Sequence, residues 1–530
     1  MCAECRRFDS VSRSLRCLPW LILIFAALAP HAWANVKLPA LFSNFMVLQR
    51  DVKVPIWGWA DPGEKITVTL PNQKLSTVAD DKGRWQVVAN PLAAGGAMTL
   101  VVEGKNRIEI FDVHVGDVWV CSGQSNMAWN VADSADADLE IPAANYQNLR
   151  IITVGTDGSQ KPVDNFDSHW EICTSKTIPQ FSAVGYFFGR ELNQAVKVPI
   201  GIIDNSWGGS ACEAWIRRDL MEGNPLYEDQ LAKWDKTAAE FNEAKAKAEF
   251  NRKLADWERR AAAARQRGGE EPPDKPWWSN PVTGQLRPAN LYNGRLKPIM
   301  PFAIRGVIWY QGETNALRAY QYREMFPLMI KNWRDDWGQG DFPFYWVQLA
   351  DFMKETDKPG DSAWAELREA QTMALDKVPK TGQAVIIDLG EANNIHPKNK
   401  QDVAKRLARW ALSRTYGKAI PHHSPRYQSM YKQGDTILIR LKDVNGQVRT
   451  IDDKPVMGFA IAGSDRKWHW AHATIVGKNE IEVQSEKVRD PFAVRYAWAD
   501  NPVCNLYDST GLPVTPFRTD SWPGVTVDAK

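Results

Sequence analysis

The chain has 530 residues, of which 65 are Lys or Arg and 63 are Asp or Glu, so its formal charge is +2. This balance argues against a nucleic-acid-binding protein, which would normally carry a basic domain or stripe. With 44% hydrophobic and 24% charged residues, the composition is that of a globular protein, and disorder over most of the length is excluded.

Residues 1–34 have the pattern of a secretory signal peptide. A basic start precedes an apolar run over residues 18–29 that is too short to span a bilayer comfortably, and Ala32-Trp33-Ala34 supplies the small residues of a cleavage site. We expect cleavage near Ala34, a secreted or periplasmic protein, and no membrane association after cleavage. An uncleaved anchor is disfavoured because no stop-transfer flank follows.

Residues 35–110 predict a small, sandwich-like β module. Ile66, Val68 and Leu70 alternate with polar neighbours, and turn residues at 61–63 and 71–72 bracket them. The same alternation returns over residues 426–530, for example at Ile437 and Ile439, and predicts a C-terminal β module.

Residues 111–425 predict an α/β domain built on a parallel sheet flanked by helices. Continuous apolar runs, which a sheet buried on both faces requires, lie at 117–120, 198–203, 304–310, 344–349 and 384–388. Apolar residues at helical spacing predict an insertion at about 221–270, either one long helix or a helical hairpin. Packing on its own domain is favoured for this insertion over a partner-binding arm or lid.

The cysteines after residue 34 do not define a scaffold. Four of them, at 121, 173, 212 and 504, permit up to two disulfides in an exported chain, but their pairing cannot be inferred from sequence. Beyond residue 34 the chain has neither Cys-x-x-Cys nor His-Glu-x-x-His, so no metal site is predicted.

The strand-to-helix turn Gly123-Gln124-Ser125-Asn126 has the character of a nucleophile turn. In open parallel sheets ligands bind at the carboxyl ends of the strands, and a serine there lies beside free amides of the following helix. The turn lacks the Gly-x-Ser-x-Gly pattern, which disfavours an ordinary α/β-hydrolase. By itself Ser125 is more typical of a helix cap than of a nucleophile.

Three later turns carry further polar chemistry. Gly208 and Gly209 allow a backbone amide to approach an oxyanion, and His396 is a candidate general base. The third turn, Trp309-Tyr310-Gln311-Gly312-Glu313-Thr314-Asn315, places two amides and a carboxylate at one strand end. Each turn alone has an ordinary structural interpretation, as a tight turn or a capped loop.

Together the four turns resemble the sialate O-acetylesterase family of SGNH-type hydrolases. The resemblance is carried by Gly-Gln-Ser-Asn-Met, Trp-Gly-Gly-Ser, Trp-Tyr-Gln-Gly-Glu-Thr-Asn and Ile-His-Pro-Lys-Asn-Lys, in that order. The segments at 46–50, 494–507 and 516–520 are also similar to that family, so the resemblance covers nearly the whole chain after residue 34.

The resemblance implies an SGNH-like fold and a serine esterase that removes O-acetyl groups from sugars without a cofactor. Carried over by position, Ser125 is the nucleophile and His396 the base. The amides of Ser125 and of Gly209 (or Gly208) form the oxyanion site with a side chain from the third turn, either Gln311 or Asn315, a choice that the spacing leaves open.

One position departs from the wider SGNH pattern. Those enzymes commonly have an Asp three residues before the histidine, whereas this chain has Asn393. An amide cannot stabilise an imidazolium as a carboxylate does. The hypothesis is that Glu313 supplies the acid, with Asp388 as the alternative.

The expected substrate is an O-acetylated sugar or glycan, either a sialic acid or a hemicellulose such as xyloglucan or xylan. Trp129, Trp207 and Trp215 are candidates for stacking on sugar rings, although core packing is the common role of tryptophan. A sialic acid carboxylate calls for a cation, for which the candidates are Arg217, Arg218 and Arg318. A catalytically inactive glycan-binding protein is the rival hypothesis, and the sequence does not indicate an oligomeric state.

Overall fold

The computed structural model describes residues 35–529, so the expected signal peptide lies outside the described residues. The N-terminal strands are short, and several alternate between buried and exposed positions, which gives them one apolar face. They are β1 (Val47–Gln49), β2 (Val54–Trp59), β3 (Lys65–Leu70), β4 (Gln73–Val78), β5 (Arg84–Ala89) and β6 (Gly95–Glu103).

The next strand, β7 (Arg107–Gly123), belongs to two parts of the molecule. Its first half pairs antiparallel with β6, and its second half pairs parallel with strands of the central sheet. The domain boundary expected at residue 110 therefore falls inside a strand. The N-terminal module shares both this strand and an apolar cluster with the central domain.

The central domain is a parallel sheet with helices on both faces. Its elements are α1 (Ser125–Ala128), α2 (Ala137–Ala143), β8 (Asn145–Thr153), β9 (Glu171–Thr174), α3 (Ala183–Val196), β10 (Ile200–Ser206), α4 (Glu228–Glu240), α5 (Glu243–Gln266), β11 (Gly306–Tyr310), α6 (Ala319–Trp337), β12 (Phe344–Val347), α7 (Ala363–Lys377), β13 (Thr381–Ala384) and α8 (Lys400–Trp410). The strand order is β13-β12-β11-β7-β10-β8-β9, parallel except at β9. The predicted fold class is confirmed.

Burial explains why these apolar runs became strands. β10, β11 and β12 are buried at every position, as a sheet covered on both faces requires. Apolar residues of α6 and α7 cover one face, and those of α3 and α8 cover the other. The last predicted run differs, because β13 ends at Ala384 and the carbonyl of Val385 accepts a hydrogen bond from Arg406 instead of pairing with a strand.

The helical insertion consists of two helices. α4 ends at Glu240, and the side chain of Asn242 caps α5 by accepting a hydrogen bond from the amide of Lys245 at 3.0 Å. Only Leu231, Trp257 and Ala261 of these two helices are buried. Most of the insertion surface is therefore polar and exposed.

The C-terminal module contains two four-stranded antiparallel sheets that share one apolar cluster. Its strands are β14 (Arg426–Gln433), β15 (Thr436–Lys442), β16 (Val448–Thr450), β17 (Phe459–Gly463), β18 (Trp468–Trp470), β19 (His472–Ile475), β20 (Glu480–Gln484), β21 (Pro491–Tyr496), β22 (Leu506–Asp508) and β23 (Phe517–Arg518). The sheets run β14-β15-β20-β19 and β18-β17-β21-β23.

The four cysteines of the described chain are all free. Cys121, Cys173 and Cys212 are buried, and Cys504 is half-buried. The two disulfides that the sequence permits are therefore not formed in this structure. Between residues 35 and 529, no helix is both long enough and apolar enough to cross a bilayer.

Candidate active site

Ser125 lies at the carboxyl end of β7, where the chain turns sharply into α1. Gly123 makes this turn at φ +136°, and a Cβ at that position would come within 2.1 Å of the carbonyl oxygen of Tyr310 on β11. Only glycine fits this close approach of two strands. The turn leaves Ser125 half-buried at the edge of the sheet.

The structure brings His396 to Ser125 from 271 positions further along the chain. Its Nε2 lies 2.8 Å from the Ser125 Oγ. The backbone amide of His396 donates to the side-chain oxygen of Asn394, and the imidazole stacks on the indole of Trp129 with ring centres 4.8 Å apart. The ring is thus held in a hydrogen-bonded pair with the serine.

A buried chain of polar side chains lies directly behind this pair. The Nδ2 of Asn126 donates to the Oε1 of Glu313 at 2.6 Å and to the carbonyl of Ile395 at 3.0 Å. The Oδ1 of Asn126 accepts from the Nζ of Lys400 at 2.6 Å. Asn126, the residue after the serine, is therefore bonded to Ile395, the residue before the histidine.

Burial shifts the pKa values of the ionisable groups in this buried set of side chains. It raises the pKa of Glu313 and lowers the pKa of Lys400 to about 7, in both cases because water no longer solvates the charge. The pKa of His396 is lowered, first by burial and then by the neighbouring Lys400 cation. His396 is therefore held in the neutral form that accepts a proton.

Among the described residues, no hydrogen bond joins Glu313 to His396. Its Oε1 is bonded to Asn126, and its buried Oε2 has no hydrogen-bond partner. Asp388, the alternative acid, is taken up elsewhere, because it binds both guanidinium nitrogens of Arg406 at 2.6 and 2.7 Å and accepts from the hydroxyl of Tyr507. Neither carboxylate hydrogen-bonds to His396 within residues 35–529, and the identity of the triad acid stays a prediction.

The glycine turn lies beside the serine. A Cβ added at Gly208 would lie 3.5 Å from the Cβ of Ser125, and the amide of Trp207 donates to the carbonyl of Gly123 at 3.0 Å. Gly209 has φ +67°, which favours glycine. Within residues 35–529, the amides of Gly208 and Gly209 donate no hydrogen bond.

The structure gives Gln311 and Asn315 a different position from the one expected. Both amide groups are buried and fully engaged: Gln311 donates to the carbonyl of Ser210 and to Asn315, and Asn315 donates to Glu213 and to the sulfur of Met325. Neither has a donor left for an oxyanion. The expected side-chain oxyanion donor is therefore not seen at either position, since Gln311 is turned toward the carbonyl of Ser210 and Asn315 toward the buried carboxylate of Glu213.

The candidate sugar-binding residues also have partners within the protein. Trp215 is fully buried against Trp309 and Trp333 and belongs to the core. Trp129 supports His396, and Trp207 packs under the guanidinium of Arg295 at 4.6 Å. The three arginine candidates already pair with carboxylates: Arg217 with Asp219 and Asp336, Arg218 with Glu222 and Asp235, and Arg318 with Glu213.

Sequence reasoning missed three residues of the site. Gln124 accepts hydrogen bonds from the amides of Gly312 and Thr314, which joins the first turn to the third, while Asn126 and Lys400 form the buried chain. All three lie inside the sequence motifs that carry the family resemblance, and this position in the motifs could have indicated a role in the site. In the described part of the chain, no cluster of three or more His, Cys, Asp or Glu side chains is arranged to hold a metal ion.

A family model, curated relatives and a solved structure that resemble this chain are all described as acetylesterases. Residues 115–248 and 277–413 match a family model described as carbohydrate esterase, sialic acid-specific acetylesterase. The chain is 30% identical to the sialate O-acetylesterase of Mus musculus, over 94% of this chain and 96% of the mouse protein, and 29% identical to that of Homo sapiens, over 93% and 95%. The crystal structure of a carbohydrate acetylesterase from Xanthomonas citri superposes with a TM-score of 0.77 at 37% identity, over 92% of this chain and 100% of that one.

Proposed function

The chain belongs to the sialic acid-specific acetylesterase family of carbohydrate esterases and is a carbohydrate O-acetylesterase, and from this premise we propose that Ser125 and His396 carry out the hydrolysis. The observation that carries the proposal is the 2.8 Å separation of the Ser125 Oγ and the His396 Nε2. A nucleophile and base within hydrogen-bond reach are the structural requirement of covalent ester hydrolysis. The same pair disfavours an inactive glycan-binding protein.

The reaction follows in two balanced steps. His396 Nε2 takes the proton of Ser125 Oγ while that oxygen forms a bond to the acetyl carbon, and the sugar oxygen leaves as an alcohol carrying that proton. A water molecule then attacks the acetyl-serine, again giving its proton to His396. The intermediate collapses, the proton passes from His396 to the serine oxygen, and acetic acid leaves and ionises to acetate in solution.

The oxyanion of each tetrahedral intermediate needs donors close to Ser125. We assign them to backbone amides, those of Ser125 and of Gly209 or Gly208. What supports this assignment is the contact of Gly208 with Ser125 and the lack of other hydrogen bonds from both glycine amides within residues 35–529. Such preorganised donors stabilise negative charge as it develops on the carbonyl oxygen.

Glu313 acts through Asn126 in this proposal. Its carboxylate holds the Asn126 amide, which also binds the carbonyl of Ile395 next to His396. Lys400 completes the arrangement from the other side of Asn126. These three side chains position the nucleophile and the base and do not touch the substrate.

Labelling with a fluorophosphonate tests the proposed function directly. The probe is expected to modify Ser125, because the phosphorus accepts the same activated oxygen that attacks an acetyl group. Peptide mass spectrometry locates the label, and release of acetate from an acetylated oligosaccharide is measured before and after labelling. A label on another serine, or full esterase activity in labelled protein, contradicts the assignment of Ser125.

Glu313→Gln distinguishes an indirect role from a triad acid. A glutamine oxygen still accepts the Asn126 hydrogen bond, so we expect kcat on p-nitrophenyl acetate to fall by about tenfold or less, whereas losing a triad carboxylate costs about 10⁴-fold. The matched control is Glu324→Gln, on the exposed side of α6. A loss near 10⁴-fold in Glu313→Gln alone would restore the triad-acid role.

A further inference from the structure

A cavity of about 340 Å³ lies between the C-terminal module and the central domain. One side is formed by Thr356 and Asp357, in the loop that follows β12. The other side comes from the C-terminal module and includes Met457, Trp470 and Val503. The cavity is therefore built jointly by two parts of the fold.

A buried arginine fixes the module's side of the cavity to the sheet. Arg368 on α7 is fully buried, and its guanidinium donates to the carbonyls of Leu349 and Ala350, two and three residues after the end of β12, and to those of Ala499 and Asp500 in the C-terminal module. Every one of these bonds is between 2.6 and 2.9 Å. The wall of the cavity is thus rigidly attached at the carboxyl end of a central strand.

The loop that forms one side of the cavity leaves the sheet at the edge where Ser125 lies, because β12, β11 and β7 are parallel. β12 is separated from β7 by β11 alone, and neighbouring strands lie about 4.8 Å apart. The loop after β12 also contacts the histidine loop, because the amide of Met353 donates to the carbonyl of Ala392 at 3.1 Å. Asn501 of the module in turn donates to the carbonyl of Met353 at 2.7 Å.

Trp470 presents a flat, pre-oriented ring to this cavity. Its indole N–H donates to the carbonyl of Asp357 at 2.9 Å, yet the residue remains 46% exposed. Val503, also on the cavity wall, is 49% exposed. An oriented and accessible indole is suited to stacking on the C–H face of a sugar ring.

We propose that this cavity is a glycan subsite that binds neutral sugar residues flanking the acetylated one. Of the described residues that line it, Asp357 alone carries a charge, and that charge is negative. Such a lining accepts an uncharged sugar and disfavours the carboxylate of a sialic acid. The subsite rests on the proposed function, and it adds to that site the binding of a neutral sugar next to the acetylated one, as in an acetylated oligosaccharide.

Replacing the indole tests the subsite. Trp470→Ala is expected to raise KM for acetylated xylan or xyloglucan oligosaccharides by about tenfold, with little change in kcat, because one stacking contact is lost. Trp470→Phe keeps a ring and should restore most of the affinity. KM for p-nitrophenyl acetate, which carries no sugar, should be unchanged in both variants.

The matched control is Trp277→Ala, which removes another tryptophan that is 67% exposed. The subsite is wrong if Trp470→Ala and Trp277→Ala give the same KM on the oligosaccharides, or if Trp470→Ala only converts a dimer to a monomer in solution. It is also wrong if the wild type releases acetate only from substrates in which the acetylated sugar has no neighbouring neutral sugar. All of these outcomes leave the esterase assignment intact, which fails only if p-nitrophenyl acetate is not hydrolysed at Ser125.

Discussion

Ser125→Ala is expected to lower kcat for p-nitrophenyl acetate by about 10⁴-fold or more, since removing the nucleophile of an acyl-enzyme mechanism leaves only the oxyanion site and substrate binding. The Oγ that is lost is the atom 2.8 Å from the His396 Nε2. Alanine removes one oxygen from a half-buried position, so the melting temperature should change little. The measurement is initial-rate kinetics with acetate release as an independent readout.

Ser122→Ala is the matched control for this variant. Ser122 lies three residues earlier on β7, where its buried hydroxyl donates to the carbonyl of Asn205 at 2.6 Å. Its loss should cost stability, about 1 kcal/mol in the free energy of unfolding, while most of the esterase activity remains. Activity near the wild-type level in Ser125→Ala would rule out the proposed nucleophile.

His396→Ala is expected to lower kcat/KM on the same substrate by about 10³-fold or more, because the serine proton then has no acceptor. A serine and its base act as a unit, so the double variant Ser125→Ala/His396→Ala should be no slower than Ser125→Ala alone. His472→Ala, an exposed histidine on β19, is the control. An additional loss in the double variant would mean that the two residues work independently.

The pH profile of the wild type completes the test of His396. The base must be neutral, so kcat/KM is maintained above the pKa of His396 and is lost as the pH falls through it. Burial and the Lys400 cation lower that pKa, so the acid limb should have its midpoint below the ordinary value of 6.5. The groups that face His396 are Ser125, Trp129 and Lys400, and Glu313 and Glu391 in turn favour the charged form of Lys400.

Removing the Lys400 cation should move this midpoint upward. In Lys400→Met the burial of His396 remains, but the repulsion between the two cations is gone, so protonation of the imidazole becomes easier. Lys405→Met, on the exposed side of α8, should leave the midpoint unchanged. A midpoint that is the same in Lys400→Met and the wild type would show that Lys400 does not influence the base.

The positions of the candidate site residues along the chain were predictable, because each is marked by the few residues around it. Each apolar run of a doubly covered sheet identifies a strand, and the polar residues after it mark the edge where ligands bind. Ser125, the glycine pair and His396 were found in this way, each from the few residues around it. The two β modules were predicted from the alternation of apolar and polar residues. No local pattern indicated that the N-terminal module and the central sheet share β7.

The orientation of the side chains within those turns was not predictable. Gln311, Glu313 and Asn315 all stand in one motif, yet packing directs Gln311 and Asn315 toward Ser210 and Glu213, and Glu313 toward Asn126. These partners lie roughly 100 to 190 positions away along the chain. A buried amide or carboxylate turns to whichever partner the fold brings within reach, since leaving it unpaired is costly.

By itself, then, the amino-acid sequence determined the fold class, the strand ends at which chemistry occurs, and the serine and histidine that we assign to it. Tertiary structure alone decided that these two side chains meet at 2.8 Å, that Lys400 and Glu313 join behind them through Asn126, and that a tryptophan of the C-terminal module hydrogen-bonds to the loop that follows β12. The physical reason is that propensity and periodicity act over a few neighbouring residues, whereas hydrogen bonding in a buried site depends on segments that only folding brings together.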